Sequence, residues 1–261
     1  MDIQLFVSDL DGTLLTEHSQ VAPETAQAIQ RAQQAGIRWL TATGRSWDTA
    51  APLLEQAGIS CDFVLLNGAE LRSAKGELLL DASLSTATAR QATDILSKHG
   101  IGLEINTDQG DFTTDTQFCS AAPLPEDFWS RPLTVRKLFG FCWDAAKPTA
   151  ARQALGALNG VSITSSAPWN IEITAHEARK ARMVERAAQL YGIDLDHIVV
   201  FGDGSNDESL FRTFSPFPRD GKRCTTSAHI GGKSDRKQRQ LWGRQRSPAN
   251  FIPYMIQSCR R

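Results

Sequence analysis

Apolar runs and amphipathic stretches alternate along the first third of the chain. Residues 3–7 form a short, mostly apolar run of the kind that becomes a buried strand, and similar runs recur at 37–41 and 63–66. Residues 23–35 have the pattern of a helix, with a proline at the start and a glycine just past the end. A second helical stretch runs from a capping Ser46 to about residue 57. Strands that alternate with helices predict an α/β fold with a parallel, doubly wound sheet.

The pattern changes between about residues 83 and 170. Strand-like pieces occur here at 103–105, 135–142 and 161–164, helical stretches at 85–99 and 148–158, and a proline-bearing connection at 121–132. The first pattern then resumes, with a strand-like run at 171–174, a helical stretch at 177–191 and an apolar run at 197–201. We therefore expect a core formed by residues 1–82 and 171–213, with a smaller α+β unit, residues 83–170, inserted into it.

Two carboxylates, Asp9 and Asp11, follow the first apolar run. Residues i and i+2 of an extended backbone point to the same side, so both acids can face one small volume. Gly12 allows a sharp turn directly after them. Two interpretations fit this stretch alone. It is either a divalent-metal site in which one carboxylate acts as a nucleophile, or a strand followed by an ordinary Asp-Gly turn.

Polar residues also stand at the ends of the other predicted strands. These residues are Thr43, Asn67, Asp203, Asn206 and Asp207. Ligands of parallel α/β sheets bind beyond the carboxyl ends of the strands. Lys180 lies in the first turn of the helix predicted at 177–191. Each residue alone has an ordinary explanation as a turn hydroxyl, a helix cap or a solvated lysine. Their joint placement predicts one polar site.

Composition narrows the class of protein. The chain has 261 residues, of which 41% are hydrophobic, as expected for a globular protein with one or two domains. No apolar run approaches the roughly 18 residues of a membrane span, and the first residues lack a basic, signal-like segment. The five cysteines are scattered without a Cys-x-x-Cys pair, so we expect free thiols and a cytoplasmic location.

Taken in order, the polar segments resemble the haloacid dehalogenase superfamily and, within it, the Cof-type phosphatases. The matching segments are Asp-Leu-Asp-Gly-Thr-Leu-Leu at 9–15, Thr-Gly-Arg at 43–45, Asn-Gly-Ala at 67–69, Lys180, and Gly-Asp-Gly-Ser-Asn-Asp at 202–207. The resemblance covers about residues 1–213. It implies a Rossmann-like core with an inserted cap of type IIB between Asn67 and Lys180. It also implies Mg²⁺-dependent hydrolysis of a small phosphorylated metabolite, such as a sugar phosphate or a nucleotide.

The resemblance assigns a role to each matching residue. Asp9 would attack phosphorus and become an aspartyl phosphate, while Asp11 would act as general acid and then as general base. Mg²⁺ would be held by Asp9, the backbone carbonyl of Asp11, Asp203 and, directly or through water, Asp207. The groups implied to hold or neutralise the phosphoryl oxygens are the backbone amides of Leu10 and Gly44 and the side chains of Thr43, Lys180 and Asn206.

The end of the chain is strongly basic. Residues 1–210 hold 16 Lys and Arg against 27 Asp and Glu, whereas residues 211–261 hold 12 against 2, within a net charge of −1 for the whole chain. The resemblance stops near Phe214, and residues 214–261 are polar with little periodicity. Such a segment fits either a disordered tail or an arm that binds nucleic acid.

A third hypothesis is that residues 214–261 are out of frame. Codon choices one base later allow residues 219–224 and 234–247 to spell segments that resemble the family's ending. Met255 followed by Ile256 then necessarily yields a stop codon. We hypothesise a single-base insertion or deletion near residues 213–218, which the nucleotide sequence decides. Such a tail would replace the last core strands, expose a sheet edge and give a poorly folding or inactive product.

Other functions stay open at this point. A phosphomutase or phosphotransferase would use the same aspartyl phosphate, and retention of phosphate among the products would reveal it. Nucleic-acid binding would work through the basic tail, although we expect no nucleic-acid partner. A dinucleotide-dependent oxidoreductase fits poorly, because Asn206 and Asp207 follow Gly204 where a third glycine is wanted.

Overall fold

The computed structural model describes residues 3–214 except 118, 120, 143, 145, 166, 167, 204 and the side chain of Ser205. All of the basic tail except Phe214 lies outside the described residues. The three hypotheses about this segment therefore concern residues that the structure does not describe. Within the described part of the chain, no helix combines the length and apolar character needed to cross a membrane. Three described cysteines, Cys61, Cys119 and Cys142, carry free thiols.

Twelve strands and six helices make up the described chain. The strands are β1 (Leu5–Ser8), β2 (Arg38–Ala42), β3 (Asp62–Leu65), β4 (Glu70–Arg72), β5 (Leu78–Asp81), β6 (Gly102–Thr107), β7 (Gly110–Thr113), β8 (Ala122–Pro123), β9 (Val135–Phe141), β10 (Val161–Thr164), β11 (Asn170–Ala175) and β12 (Ile198–Phe201). The helices are α1 (Pro23–Gln34), α2 (Trp47–Gln56), α3 (Thr86–Lys98), α4 (Ala146–Leu155), α5 (Lys180–Tyr191) and α6 (Glu208–Thr213). Short 3₁₀ turns lie at Leu66–Gly68, Phe128–Ser130, Leu195–His197 and Ser205–Asp207.

The first sheet has the order β12-β1-β2-β3-β4-β5. Its first four strands are parallel, and β4 and β5 continue it antiparallel. Side chains alternate between the two faces of β1: Phe6 packs in the apolar layer that contains Ile29 of α1, whereas Leu5 and Val7 pack in the layer that contains Val184 of α5. Helices therefore cover both faces, and the predicted doubly wound α/β core is confirmed.

The second sheet has the order β10-β11-β9-β6-β7-β8 and is antiparallel except for its last pair. One face is apolar, with Leu103, Leu138 and Ile173 fully buried. Helices α3 and α4 pack against the strands of this sheet. The expected α+β insertion is therefore present. The prediction placed residues 171–174 in the returning core, but β11 pairs with β9 and β10 in the second sheet.

A β-bulge at the start of β9 directs one side chain of the second sheet toward the first sheet. Asn106 pairs with Lys137 and Thr107 with Val135, which leaves Arg136 as the extra residue. A bulge re-aims side chains, and the guanidinium of Arg136 reaches the first sheet, where it pairs with Glu70 of β4 and lies 3.1 Å from Asp81 of β5. The insertion is therefore tied to the first sheet through a buried arginine.

Some element bounds differ from the sequence prediction. Helix α5 begins at Lys180 instead of residue 177, because the amides of Ala178 and Arg179 bond to Ala175 and Glu177 in a turn that precedes it. Helix α4 begins at Ala146 and ends at Leu155, whereas the predicted stretch was 148–158. The sequence pattern did not predict β4, β5, β7 and β8, and β8 lies in the stretch 121–132 that it assigned to a connection. Each of these strands is only two to four residues long.

Candidate active site

Three carboxylates converge at the carboxyl ends of β1 and β12. Asp9 follows β1, and its amide donates to the carbonyl of Phe201 at the end of β12. Asp203 and Asp207 lie in the turn that follows β12. One carboxylate oxygen from each of the three residues lies within 4.8 Å of the others. The parallel pairing of adjacent strands thus brings together residues almost 200 positions apart.

Gly12 makes room for this cluster. Its φ of 78° is in the left-handed region, and a Cβ atom there would lie 2.2 Å from Oδ2 of Asp203. The next residue, Thr13, donates from its hydroxyl to Oδ1 of Asp203 at 3.2 Å. Any side chain at position 12 would therefore displace Asp203, which gives a steric reason for the Asp-Gly-Thr sequence.

Lys180 links two of the three carboxylates. Its side chain is buried, and Nζ lies 2.7 Å from Oδ1 of Asp9 and 2.7 Å from Oδ1 of Asp207. Burial is the largest influence on the ammonium and opposes its charge. Attraction to the two carboxylates outweighs that effect, so the pKa of Lys180 is raised above its ordinary value. Lys180 is therefore a buried cation, which excludes the interpretation of it as a solvated surface lysine.

The cluster carries more negative than positive charge. Three carboxylates face one ammonium, which leaves two formal negative charges. Burial raises the pKa of Asp9 to about 6 even though Lys180 lowers it, and repulsion from Asp207 adds to the rise. Burial also raises the pKa of Asp203. A hard divalent cation prefers oxygen ligands and would balance these charges, so the donor set fits such an ion.

The metal-free protein should become less stable relative to Asp9→Asn as the pH rises from about 4 to about 7.5. The folded pKa of Asp9 exceeds its ordinary value of 3.8. Its stabilising effect is therefore present at low pH and is lost as the pH rises through about 6. The relative gain for Asp9→Asn should reach at most about 3 kcal/mol in the free energy of unfolding.

Urea unfolding in chelator, across this pH range, measures the difference between the two proteins. The exposed Asp196→Asn is the matched control and should show no such trend. If the difference in the free energy of unfolding between wild type and Asp9→Asn did not change with pH, the raised pKa of Asp9 would be contradicted.

Asp11 lies apart from the three-carboxylate cluster. Its side chain is exposed and is held by Arg45, whose Nη2 lies 2.6 Å from Oδ1 and whose Nε lies 2.8 Å from Oδ2. The hydrogen bonds to Asp11 raise the pKa of Arg45. The sequence prediction did not assign a role to Arg45, although it directly follows the Thr-Gly segment.

The residues predicted to hold a phosphoryl group lie around the cluster. Thr43 is buried, and its hydroxyl accepts from the amide of Arg45 at 3.2 Å. Leu10 directly follows Asp9, and its backbone acts to lower the pKa of that carboxyl against the effect of burial. The side chain of Asn206 donates from Nδ2 to Oδ1 of Asn67 at 3.4 Å. The structure thus brings the predicted residues to one edge of the first sheet.

Asn67 is held in an uncommon backbone conformation. Leu66 and Asn67 have φ values of 51° and 59°, and their amides bond to the carbonyls of Arg45 and Thr43. Gly68 follows with a φ of 103°, and a Cβ atom there would lie 2.5 Å from the backbone of Arg179. Backbone strain of this kind persists where the surroundings over-determine it and clusters at functional sites.

Two buried residues of the second sheet complete this region, and the sequence prediction missed both. Glu172 of β11 accepts a 2.6 Å hydrogen bond from Nδ2 of Asn67. Lys137 of β9 lies 2.8 Å from Glu172 and donates to the carbonyl of Gly44 at 3.0 Å. The available signal was charge inside two strands that are rich in apolar residues, Lys137 next to Arg136 in β9 and Glu172 in β11. Such residues are rarely buried unless they are paired.

Comparisons with known proteins identify the family of the chain. A family model described as haloacid dehalogenase-like hydrolase matches residues 6–215. The 5-amino-6-(5-phospho-D-ribitylamino)uracil phosphatase YcsE of Bacillus subtilis is 26% identical over 215 residues, which covers 81% of each chain. The HMP-PP phosphatase of Cronobacter sakazakii is 25% identical, over 77% of this chain and 78% of that protein. A solved haloacid dehalogenase-like hydrolase from B. subtilis has a TM-score of 0.72 at 24% identity, over 81% of this chain and 87% of that one.

Proposed function

The chain belongs to the haloacid dehalogenase-like hydrolases, and on that basis we propose that it is a Cof-type, Mg²⁺-dependent phosphatase of small phosphorylated metabolites. The main support for this proposal is one observation. The buried Lys180 links Asp9 to Asp207 within a three-carboxylate cluster at the ends of two parallel strands. This arrangement provides a nucleophile, a metal site and a compensating cation in one place. The relatives named as phosphatases support the same reaction class.

In the proposed reaction, a carboxylate oxygen of Asp9 attacks phosphorus. A bond forms between that oxygen and phosphorus while the ester P–O bond breaks, and Asp11 gives a proton to the departing alcohol. Asp11 then takes a proton from the water that attacks the aspartyl phosphate. Inorganic phosphate leaves, and the Asp9 carboxylate is restored. Because Arg45 holds both oxygens of Asp11, this ion pair must open before Asp11 can donate a proton.

The residues proposed to hold Mg²⁺ are Asp9, Asp203, Asp207 and the backbone carbonyl of Asp11. The bound ion would supply positive charge to the phosphoryl oxygens. Lys180 adds a second positive charge beside Asp9 and limits repulsion between the carboxylate and the incoming ester. Thr43, Asn206 and the amides of Leu10 and Gly44 would hold the oxygens of the transferred group. We further propose that residues 83–175 act as a cap above this site.

Metal removal tests the proposal. Hydrolysis of p-nitrophenyl phosphate is expected to fall about 100-fold or more in chelator and to return when excess Mg²⁺ is added. Asp203→Asn should require more Mg²⁺ for half-maximal rate, since it removes one negative ligand. The exposed Asp196→Asn is the control for this substitution. Hydrolysis that is unchanged in chelator would refute the metal-dependent mechanism.

A further inference from the structure

The second sheet presents a polar face opposite its helix-covered face. Residues directly opposite each other in the pairing share a face. Lys137 lies between Asn106 and Thr174, and Phe139 lies between Glu104 and Glu172. Asp111 on β7 lies opposite Asn106 and extends the same face. This polar face is turned toward the first sheet, because Lys137 and Glu172 contact Gly44 and Asn67 there.

Two hydrogen bonds with opposite polarity connect this polar face to the segments that follow β2 and β3. In one, Asn67 of the first sheet donates to Glu172; in the other, Lys137 donates to the carbonyl of Gly44. A hydroxyl group both donates and accepts, so it can replace either contact while leaving both protein groups satisfied. A carboxylate, or a second phosphate in its dianionic form, carries no proton to donate to Glu172 or to the Gly44 carbonyl. It would leave those buried groups unpaired, which is costly.

The charges on the polar face also disfavour a substrate with a second anionic group. Three carboxylates, Glu104, Asp111 and Glu172, share this face with Lys137. Burial raises the pKa of Asp111, and repulsion from Glu104 adds to the rise against the lowering effect of Asn106. Arg136, the other cation of β9, is already paired with Glu70 and Asp81. The carboxylates of this face therefore outnumber the cations left to balance them, and a second anion on a substrate would be repelled.

We propose that Lys137 and Glu172 form the specificity-determining pair of this enzyme, and that they select an uncharged, hydroxyl-bearing leaving group over one with a second anionic group. This inference rests on the proposed phosphatase function and adds the chemical class of the leaving group. The substrate hydroxyls would take the place of the contacts that Lys137 and Glu172 make with Gly44 and Asn67.

A matched pair of esters tests the selection. The kcat/KM of fructose 6-phosphate is expected to exceed that of fructose 1,6-bisphosphate by about tenfold or more in the wild type. Glu172→Gln should lower this ratio about three- to tenfold, and the half-buried Glu104→Gln should lower it in the same direction. Lys137→Gln should raise the ratio. Opposite shifts from the two members of one ion pair are not expected of a merely structural contact.

Controls separate this inference from the proposed function. The exposed Glu126→Gln should leave the ratio unchanged. Hydrolysis of p-nitrophenyl phosphate, which has no hydroxyl group, reports on the core chemistry alone. If the wild type hydrolyses none of the three esters, the proposed function fails, and calorimetric binding of the two fructose phosphates in Mg²⁺ still tests the selection. Equal preference for the two esters, or a ratio that none of the three variants moves, would overturn the inference.

Discussion

Asp9→Asn is expected to lower the turnover of any phosphoester by at least about 1000-fold without unfolding the protein. The variant keeps the shape of the side chain, but an amide is a poor nucleophile and a poor ligand for Mg²⁺. Asp9 lies at the end of a buried strand, and the substitution leaves its backbone bond to Phe201 unchanged, so the fold is expected to be retained. Steady-state kinetics together with circular dichroism measures both effects.

Deamidation of the substituted side chain in Asp9→Asn would regenerate aspartate and restore activity. Mass spectrometry of the assayed sample excludes that event. Asp196→Asn, an exposed change of the same kind, should retain wild-type turnover. Substantial activity of an intact Asp9→Asn protein would show that another residue accepts the phosphoryl group.

Lys180→Met should destabilise the metal-free protein by about 3–5 kcal/mol and also abolish most activity. Methionine fills a similar volume, but it leaves Asp9 and Asp207 buried without the cation that each contacts at 2.7 Å. The loss of a charge partner from a buried pair is strongly destabilising because the remaining charge cannot be solvated. Urea unfolding in chelator at neutral pH measures the change.

Two further proteins make the Lys180 result specific. The exposed Lys98→Met should cost less than about 0.5 kcal/mol. The double variant Asp9→Asn/Lys180→Met should be more stable than Lys180→Met alone, because it removes one of the two uncompensated carboxylates. A Lys180→Met protein with wild-type stability would contradict the description of Lys180 as the buried counter-ion.

Strong local patterns made the four parallel strands of the first sheet predictable. The apolar runs that became β1, β2, β3 and β12 are four or five residues long, and each is followed by the polar residues that the site uses. Helix α1 began at its proline as predicted, and Ser85 caps α3 by accepting from the amide of Thr88. Here local propensity and tertiary structure agree, so sequence reasoning succeeds.

Strands stabilised by long-range ion pairs could not be predicted. Glu70 and Arg72 give β4 the appearance of a loop, yet Glu70 is buried because Arg72 and Arg136 neutralise it. Arg136 comes from a bulge more than 60 residues away. No local pattern records such a partner, and the strand was therefore missed.

Sequence patterns also revealed only some of the residues in the candidate active site. Asp9, Asp203 and Lys180 lie at recognisable strand ends or helix starts, so their convergence followed from the topology. Lys137 and Glu172 lie in the middle of strands, and only the pairing of β9 with β11 places them side by side. The contact of Arg45 with Asp11 likewise depends on a turn geometry that sequence spacing does not specify.

Trapping the phosphorylated enzyme shows whether Asp9 accepts the phosphoryl group. Wild-type protein with Mg²⁺ is mixed with p-nitrophenyl phosphate, quenched in acid during turnover, digested and mapped by mass spectrometry. We predict that the peptide containing Asp9 gains the mass of one phosphoryl group, and that hydroxylamine removes it, as expected of an acyl phosphate. Rapid turnover with no modified peptide, or with the phosphoryl group on a different residue, would contradict the mechanism.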